Sequence, residues 1–293
     1  MPMSSGSNWH IGVIGGSGLA AGLVLDAAQV IEVASPFGLP SAAVTTGTLA
    51  GVRFTFLPRH GEGHAIPPSQ INYRANIDVL KRCGVTDLIA LSAIGSLNSA
   101  MAPGDFVAVD QFIDRTTARE QSFFGPGLVA HVSLADPVCP RLRAGLVAAA
   151  QAEQAQVRDG GCYVAIDGPQ FSTRAESRLY QSWGGDVIGM TGMPEARLAR
   201  EAELPYAMLG MVTDYDSWRA DDAGVEAGNI IAVMQRNIAL ARRVVARLAA
   251  ALPGSRSPSP IDAALDAAIM TAPAARDPAV VARLQAVAGR VLK

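Results

Sequence analysis

The chain has 293 residues and a mass of 30.4 kDa, with 49% apolar and 17% charged side chains. That balance excludes disorder driven by charge and supplies a sizeable aliphatic core. A net charge of -2 and an aromatic content of 5% provide neither a basic field nor stacking surfaces, so neither nucleic acid nor membrane is expected as a partner.

No Lys or Arg precedes Arg53, so the charged start of a secretory or transit peptide is missing. The uncharged runs 11–25 and 88–104 are interrupted by Gly, Ser, Asn or Pro and fall short of the ~20 apolar residues that cross a bilayer. Cys83, Cys139 and Cys162 are far apart and lack metal-ligand spacing; they read as free thiols of a cytoplasmic protein. The only lysines are Lys81 and Lys293, neither placed for a Walker A loop or a Schiff base.

In chain order, residues 9–14 form an apolar strand that runs into the turn Gly15-Gly16-Ser17-Gly18. Residues 53–57 alternate and stop at Pro58-Arg59-His60-Gly61. Ser69 is placed to cap a helix that continues to Arg82, with Gly84 ending it. A strand over 87–92 leads to the turn Ala93-Ile94-Gly95-Ser96, and 106–113 reads as one further strand. Pro140 suits the first turn of a helix to about Gln156, 162–166 is a strand, and Thr173 with Glu176 has capping-box spacing. A strand over 186–190 precedes a helix opened by Pro194, and 206–214 is another strand. Ile230, Met234, Ile238, Ala241, Val245 and Leu248 then recur at helical steps. The Pro/Ser-rich connector 253–260 divides a main body, 1–252, from a tail, 253–293, too short to bury its own core. Strand–helix alternation of this kind predicts an α/β fold with a mixed or parallel sheet, its ligands at the carboxyl ends of strands.

Chemistry-bearing residues cluster at those ends. Gly16-x-Gly18-x-x-Ala21 suits a dinucleotide pyrophosphate, another anion, or simply a tight turn, and Glu32, which reads as lying inside a strand, is poorly placed as the ribose acid. His60, Glu62 and His64 could be read as metal ligands, although alternate positions in a Gly-rich loop orient them badly. Alternatively Arg59 offers an oxyanion a two-pronged grip. Ser92, Ser96, Ser172, Thr173 and Thr191 are singly caps or turn residues; with Ser17 and Arg59 they suggest an anion held by neutral donors and one permanent cation. In Thr213-Asp214-Tyr215-Asp216 an extended backbone would place both carboxylates on one face. Burial and mutual repulsion would then raise one pKa, from about 3.9 to about 7 for roughly 4 kcal/mol. A solvated turn is the alternative.

These stretches resemble the S-methyl-5'-thioadenosine phosphorylases of the purine nucleoside phosphorylase superfamily. The resemblance runs from Ile11 to about Leu248 and rests on Ile14-Gly15-Gly16-Ser17-Gly18-Leu19, Arg59-His60-Gly61, QINYRAN from Gln70 and Gly95-Ser96-Leu97. DQFIDRTT from Asp110, GPQFSTRAES from Gly168, Met190-Thr191 and TDYDSW from Thr213 follow in the same order. It implies a three-layer α/β fold whose mixed central sheet curls into a distorted barrel surrounded by helices. It also implies phosphorolysis of 5'-methylthioadenosine to adenine and 5-methylthioribose 1-phosphate, in methionine and purine salvage. Phosphate is then a co-substrate, and no metal or other cofactor is expected.

By the same resemblance, phosphate binds at Ser17, Arg59, His60, Ser92, Ala93 and Thr191, which replaces the dinucleotide reading of the Gly-rich turn. Met190 lies under the ribose and Phe171 and Ser172 flank the purine. Asp214, Tyr215 and Asp216 sit at the base, Asp214 giving or sharing a proton with N7 and Asp216 holding the amino group. Ala227, Ile230 and Ile231 line the 5' pocket. His131 closes a neighbour's site in a homo-oligomer, trimer or hexamer, with Ile269 and Met270 as covering residues. Ser257-Pro258-Ser259-Pro260 stands where many relatives carry paired cysteines. The rivals are a purine nucleoside or methylthioinosine phosphorylase and, using water, a nucleosidase. Twin aspartates favour a 6-amino purine over a 6-oxo one.

Overall fold

In the computed structural model, which describes residues 9–16, 18, 23–219 and 227–292, the elements follow the expected alternation. They run β1 (His10–Gly15), β2 (Asp26–Ile31), β3 (Val44–Leu49), β4 (Val52–Pro58), α1 (Tyr73–Arg82) and β5 (Asp87–Ser96). Next come β6 (Phe106–Val109), β7 (Gln111–Asp114), α2 (Pro140–Ala152), β8 (Val157–Asp159), β9 (Cys162–Ala165) and α3 (Arg174–Ser182). The chain continues through β10 (Val187–Gly189), α4 (Gly192–Glu201), β11 (Tyr206–Asp214), α5 (Ala227–Ala251), α6 (Pro278–Arg283) and α7 (Gln285–Ala288).

All the strands among the described residues join one 11-stranded mixed sheet, with β2-β3-β4-β1-β5-β10-β9-β7 as its main path and β11, β6 and β8 branching from β5. Strands β4, β1, β5 and β11 are parallel and central. Their near-continuous apolar sequences follow from burial on both faces. Ile14, Leu88, Ala90 and Met208 point to a layer with α1 and α4. The alternate residues Val13, Ile89, Leu91 and Leu209 point to a layer with α2 and α5. This period-2 division across the sheet makes the fold three-layered. Among the described residues no pairing closes the strands into a ring.

Several local expectations shift for identifiable reasons. Helix α1 begins at Tyr73 because Asn72, not Ser69, caps it, accepting from Ala75 N; residues 68–70 form a separate 3-10 turn. The stretch 93–96, expected as a turn, stays in β5 because it acquires a new antiparallel partner, Val187 opposite Ser96 and Ile188 opposite Gly95. The run 106–113 is two strands: β6 pairs with β11 and β8, and β7 with β9. Strand β3 was not foreseen; β2 ends at Ile31, one residue before Glu32, where a strand was expected, and it is exposed throughout.

The tail packs on the body of its own chain. Leu265, Leu284, Val287 and Leu292 join the cluster of Leu80 on α1. Burial of such side chains is worth roughly 1.5–3 kcal/mol each, enough to hold short helices that have no core of their own. The connector is stapled as well: Arg256 donates to Asp262 (2.8 and 2.6 Å) and, with Arg141, pairs with the fully buried Asp87. Among the described residues no helix is long and apolar enough to cross a membrane.

Candidate active site

A cavity of about 410 Å³ opens at the carboxyl ends of β1, β4, β5 and β11. Gly16 and Gly18 lie at the end of β1 and Arg59 and His60 at the end of β4; β5 contributes the run 91–95 along one wall. From Ser92 to Gly95 that strand advances about 10 Å, so it carries two groups of polar residues about that far apart.

Around Ser92 gather Arg59, His60, Ala93 and Thr191. The Ser92 and Thr191 hydroxyls are 3.1 Å apart. The Thr191 N–H donates to the Tyr163 hydroxyl at 3.2 Å, which fixes the loop that opens α4. Arg59 is 1% exposed. Its Nε donates to Glu195 Oε2 at 2.7 Å and its Nη2 to Glu195 Oε1 at 3.1 Å. The two-pronged grip expected for an oxyanion is therefore already occupied by a carboxylate. The remaining contacts of Arg59 run to the carbonyls of Leu91 and Ile14, where the guanidinium ties β5 and β1 to β4. Its pKa is raised, because attraction to Glu195 outweighs the burial that by itself lowers it.

His60 Nδ1 lies 2.9 Å from the Ile66 carbonyl, an acceptor, so Nδ1 carries the hydrogen. Burial, and then the neighbouring Arg59, push its pKa down to about 4, so the ring is neutral near pH 7. It stacks on His64 at 4.0 Å. Among the described residues no group of three His, Cys, Asp or Glu side chains is arranged to hold a metal ion.

Around Gly95 gather the two aspartates. Strand β11 ends at Asp214 after a register shift between Val212 and Asp214. A shift of this kind re-aims a side chain, here towards the cavity. The backbone does not stay extended to Asp216, which has φ 50° in a turn. The pair still meets, because Asp216 N–H donates to Asp214 Oδ1 at 2.8 Å. Asp214 Oδ2 is 2.7 Å from the Thr213 hydroxyl, and Asp216 accepts a short hydrogen bond from Ser177. Burial, with the Asp214 charge as a lesser cause, raises the pKa of Asp216. The structure thus places the raised carboxyl on the deeper residue of the pair. Ser172 is buried close by, and its hydroxyl has no hydrogen bond of ordinary geometry among the described residues.

Between the two groups the wall is apolar, formed by Met190, Phe171, Ile166 and Ile188. The buried Arg119 holds that wall from behind, donating to the carbonyls of Met190 (2.7 Å), Met193 (2.6 Å) and Asp167 (2.9 Å). Helix α5 adds Met234, Gln235 and Ile238. Met234 and Ile238 belong to the stripe that recurs at helical steps; its later members Ala241, Val245 and Leu248 are buried in the core.

Not every expected residue is here. Tyr215 turns aside, 3.5 Å beneath the Arg219 guanidinium. His131 is exposed, outside this chain's own cavity, its N–H donating to the Ala268 carbonyl at 2.8 Å. Ser17 and the side chains of Ala227, Ile230 and Ile231 lie outside the described residues. Sequence reasoning missed Glu195, Ser177, Arg119 and Gln235. Glu195 sits in the first turn of α4, where an acid is an ordinary helix-terminus feature. Only the buried cation beside it reveals another use.

Residues 10–250 match the model of the phosphorylase superfamily. The S-methyl-5'-thioadenosine phosphorylase of Bradyrhizobium diazoefficiens is 56% identical over 285 residues, 97% of this chain and 98% of that protein. A methylthioadenosine phosphorylase from an antarctic soil metagenomic library superposes with a TM-score of 0.90 at 41% identity, over 96% of this chain and 99% of that one. A variant of the adenosine/methylthioadenosine phosphorylase of Schistosoma mansoni, solved with methylthioadenosine, superposes with a TM-score of 0.78 at 37% identity. That match covers 83% of this chain and 91% of the other. With fold, site position and sequence in agreement over nearly its whole length, this chain belongs to the phosphorylase superfamily, among its S-methyl-5'-thioadenosine phosphorylases.

Proposed function

We propose that the protein cleaves 5'-methylthioadenosine with inorganic phosphate, giving adenine and 5-methylthioribose 1-phosphate. The observation that carries this reading is a single cavity with hydroxyl donors and a cation around Ser92 and paired aspartates around Gly95, about 10 Å further along the same strand.

Phosphate is held by the Ser92 and Thr191 hydroxyls, the Ala93 backbone and Arg59, with Ser17 completing the set. His60, neutral and donating through Nδ1, leaves Nε2 to accept the P–OH hydrogen. A phosphate oxygen attacks C1' as the C1'–N9 bond breaks through an oxocarbenium-like state, and the bond's electron pair leaves with the purine. Asp214 shares or gives the proton that neutralises N7, with the raised carboxyl of Asp216 beside it. Asp214 faces N7 and Asp216 the 6-amino edge, with Phe171 and Ser172 at the purine and Met190 at the ribose. Ala227, Ile230 and Ile231 receive the methylthio group. No metal or other cofactor takes part.

The working form is a cytoplasmic homo-oligomer, a trimer or hexamer, serving methionine and purine salvage. The tail and the 129–131 segment form the surface that meets a neighbour. Val129 and Met270, joined there by a backbone hydrogen bond, are 40% and 53% exposed beside His131. Residues 1–252 form the phosphorylase domain and 253–293 the tail. Initial rates on methylthioadenosine, adenosine, methylthioinosine and inosine, with and without phosphate, test the assignment. Methylthioadenosine with phosphate is fastest if it is right; faster cleavage of methylthioinosine overturns it.

A further inference from the structure

Arg59 is the cation of the anion end, and most of its donors are already engaged. A guanidinium has five N–H groups. Four are committed here: Nε and one Nη2 hydrogen to Glu195, the other Nη2 hydrogen to Ile14, and one Nη1 hydrogen to Leu91. The remaining one is on Nη1. Glu195 is itself fully buried, and its Oε1 accepts from the Tyr206 hydroxyl at 3.1 Å. Tyr206 is buried too and holds its proton, its pKa pushed well above the usual phenol range by burial and by Glu195.

Resting on the phosphate reading above, we propose that Glu195 is a positioning residue that sets the pull of Arg59 on phosphate, with Tyr206 in turn moderating Glu195. The chemistry demands such a setting. A bare guanidinium in a dry pocket binds a phosphate dianion tightly before reaction, and ground-state binding of that kind does not speed attack on C1'. Pairing Arg59 with a carboxylate lowers the net charge at the site while keeping one N–H directed by four fixed bonds. The Tyr206 hydrogen bond draws density from Glu195, so less of it opposes the incoming anion.

The two groups therefore act on one parameter in opposite directions. In Glu195→Gln the shape is kept and the charge removed; phosphate KM falls about tenfold and kcat falls with it, while nucleoside KM stays within about twofold. In Tyr206→Phe the Arg59–Glu195 pair survives with Glu195 less restrained, and phosphate KM rises about threefold. A role in packing alone leaves both KM values at wild-type levels. An unchanged or raised phosphate KM in Glu195→Gln overturns the proposal. If that variant does not fold, Tyr206→Phe decides: a raised phosphate KM supports the proposal and an unchanged one overturns it. Wild-type enzyme assayed without phosphate separates the two levels, because undiminished adenine release overturns the functional reading itself before any variant is made.

Discussion

Gly95 and Asp214 face each other across β5 and β11, and a Cβ at position 95 would stand 3.0 Å from Asp214 Oδ1. The same Cβ would lie 3.0 Å from Ile188 Cγ2 and 3.4 Å from Asp216 Cβ. The lone hydrogen of Gly95 at that point is what lets two carboxylates share the end of the cavity. Gly95→Ala should therefore displace the aspartate pair by a few tenths of an ångström. Displacement of that order should lower kcat by about tenfold or more, with phosphate KM unchanged. Steady-state kinetics with each substrate varied in turn check this.

Removing the proposed proton relay is a sharper change. Asp214→Asn keeps the volume and the hydrogen bond from Asp216 N–H but cannot pass a proton to N7. Turnover on methylthioadenosine should fall about 10²- to 10⁴-fold. Melting temperature should move little, because Asp214 is only half-buried. Wild-type turnover in this variant would remove the proton-transfer role.

Acid should weaken the fold through two histidines. Burial, and after it a nearby arginine, push His10 and His60 down to about 4 from an ordinary 6.5. With a lowered pKa in the folded state, the unfolded chain takes up protons first. Full stability is present above about pH 6.5 and drains as pH falls towards 4, by about 3 kcal/mol for each ring. Urea unfolding at pH 7.5, 6 and 5 measures the slope. In His10→Gln, which can retain a contact to Thr55, the loss between pH 6.5 and 4 should be roughly halved.

The tail staple is separable from chemistry. Arg256→Met leaves Asp87 buried with only Arg141 as a charged partner, a change that costs about 3 kcal/mol in comparable buried pairs. A lower melting temperature with both KM values unchanged is the expected result.

The sequence was most legible where a local rule decides the outcome. Strand β11 ends at Asp214 as expected, and Thr173 and Glu176 form the reciprocal cap their spacing announced. It was least legible where a distant partner decides. The segment 93–96 looks like a turn until Val187 and Ile188 pair with it. The aspartates came together for a different reason from the one their spacing suggested: an Asp216 N–H bonded to Asp214 within a turn. Arg59 was found at the site, but its partner Glu195 lies 136 residues away, and only the folded chain shows that its fork is occupied. The apolar period of α5 announced a helix but not which of its residues face the cavity: Met234 and Ile238 line it, while Ala241, Val245 and Leu248 are buried in the core.

Adenine release from methylthioadenosine in phosphate-depleted buffer, followed by titration of phosphate, bears most directly on the account as a whole. Saturable release that vanishes without phosphate, with 5-methylthioribose 1-phosphate formed in equal amount, is the predicted result. Adenine appearing at the same rate in its absence, together with free methylthioribose, would contradict it.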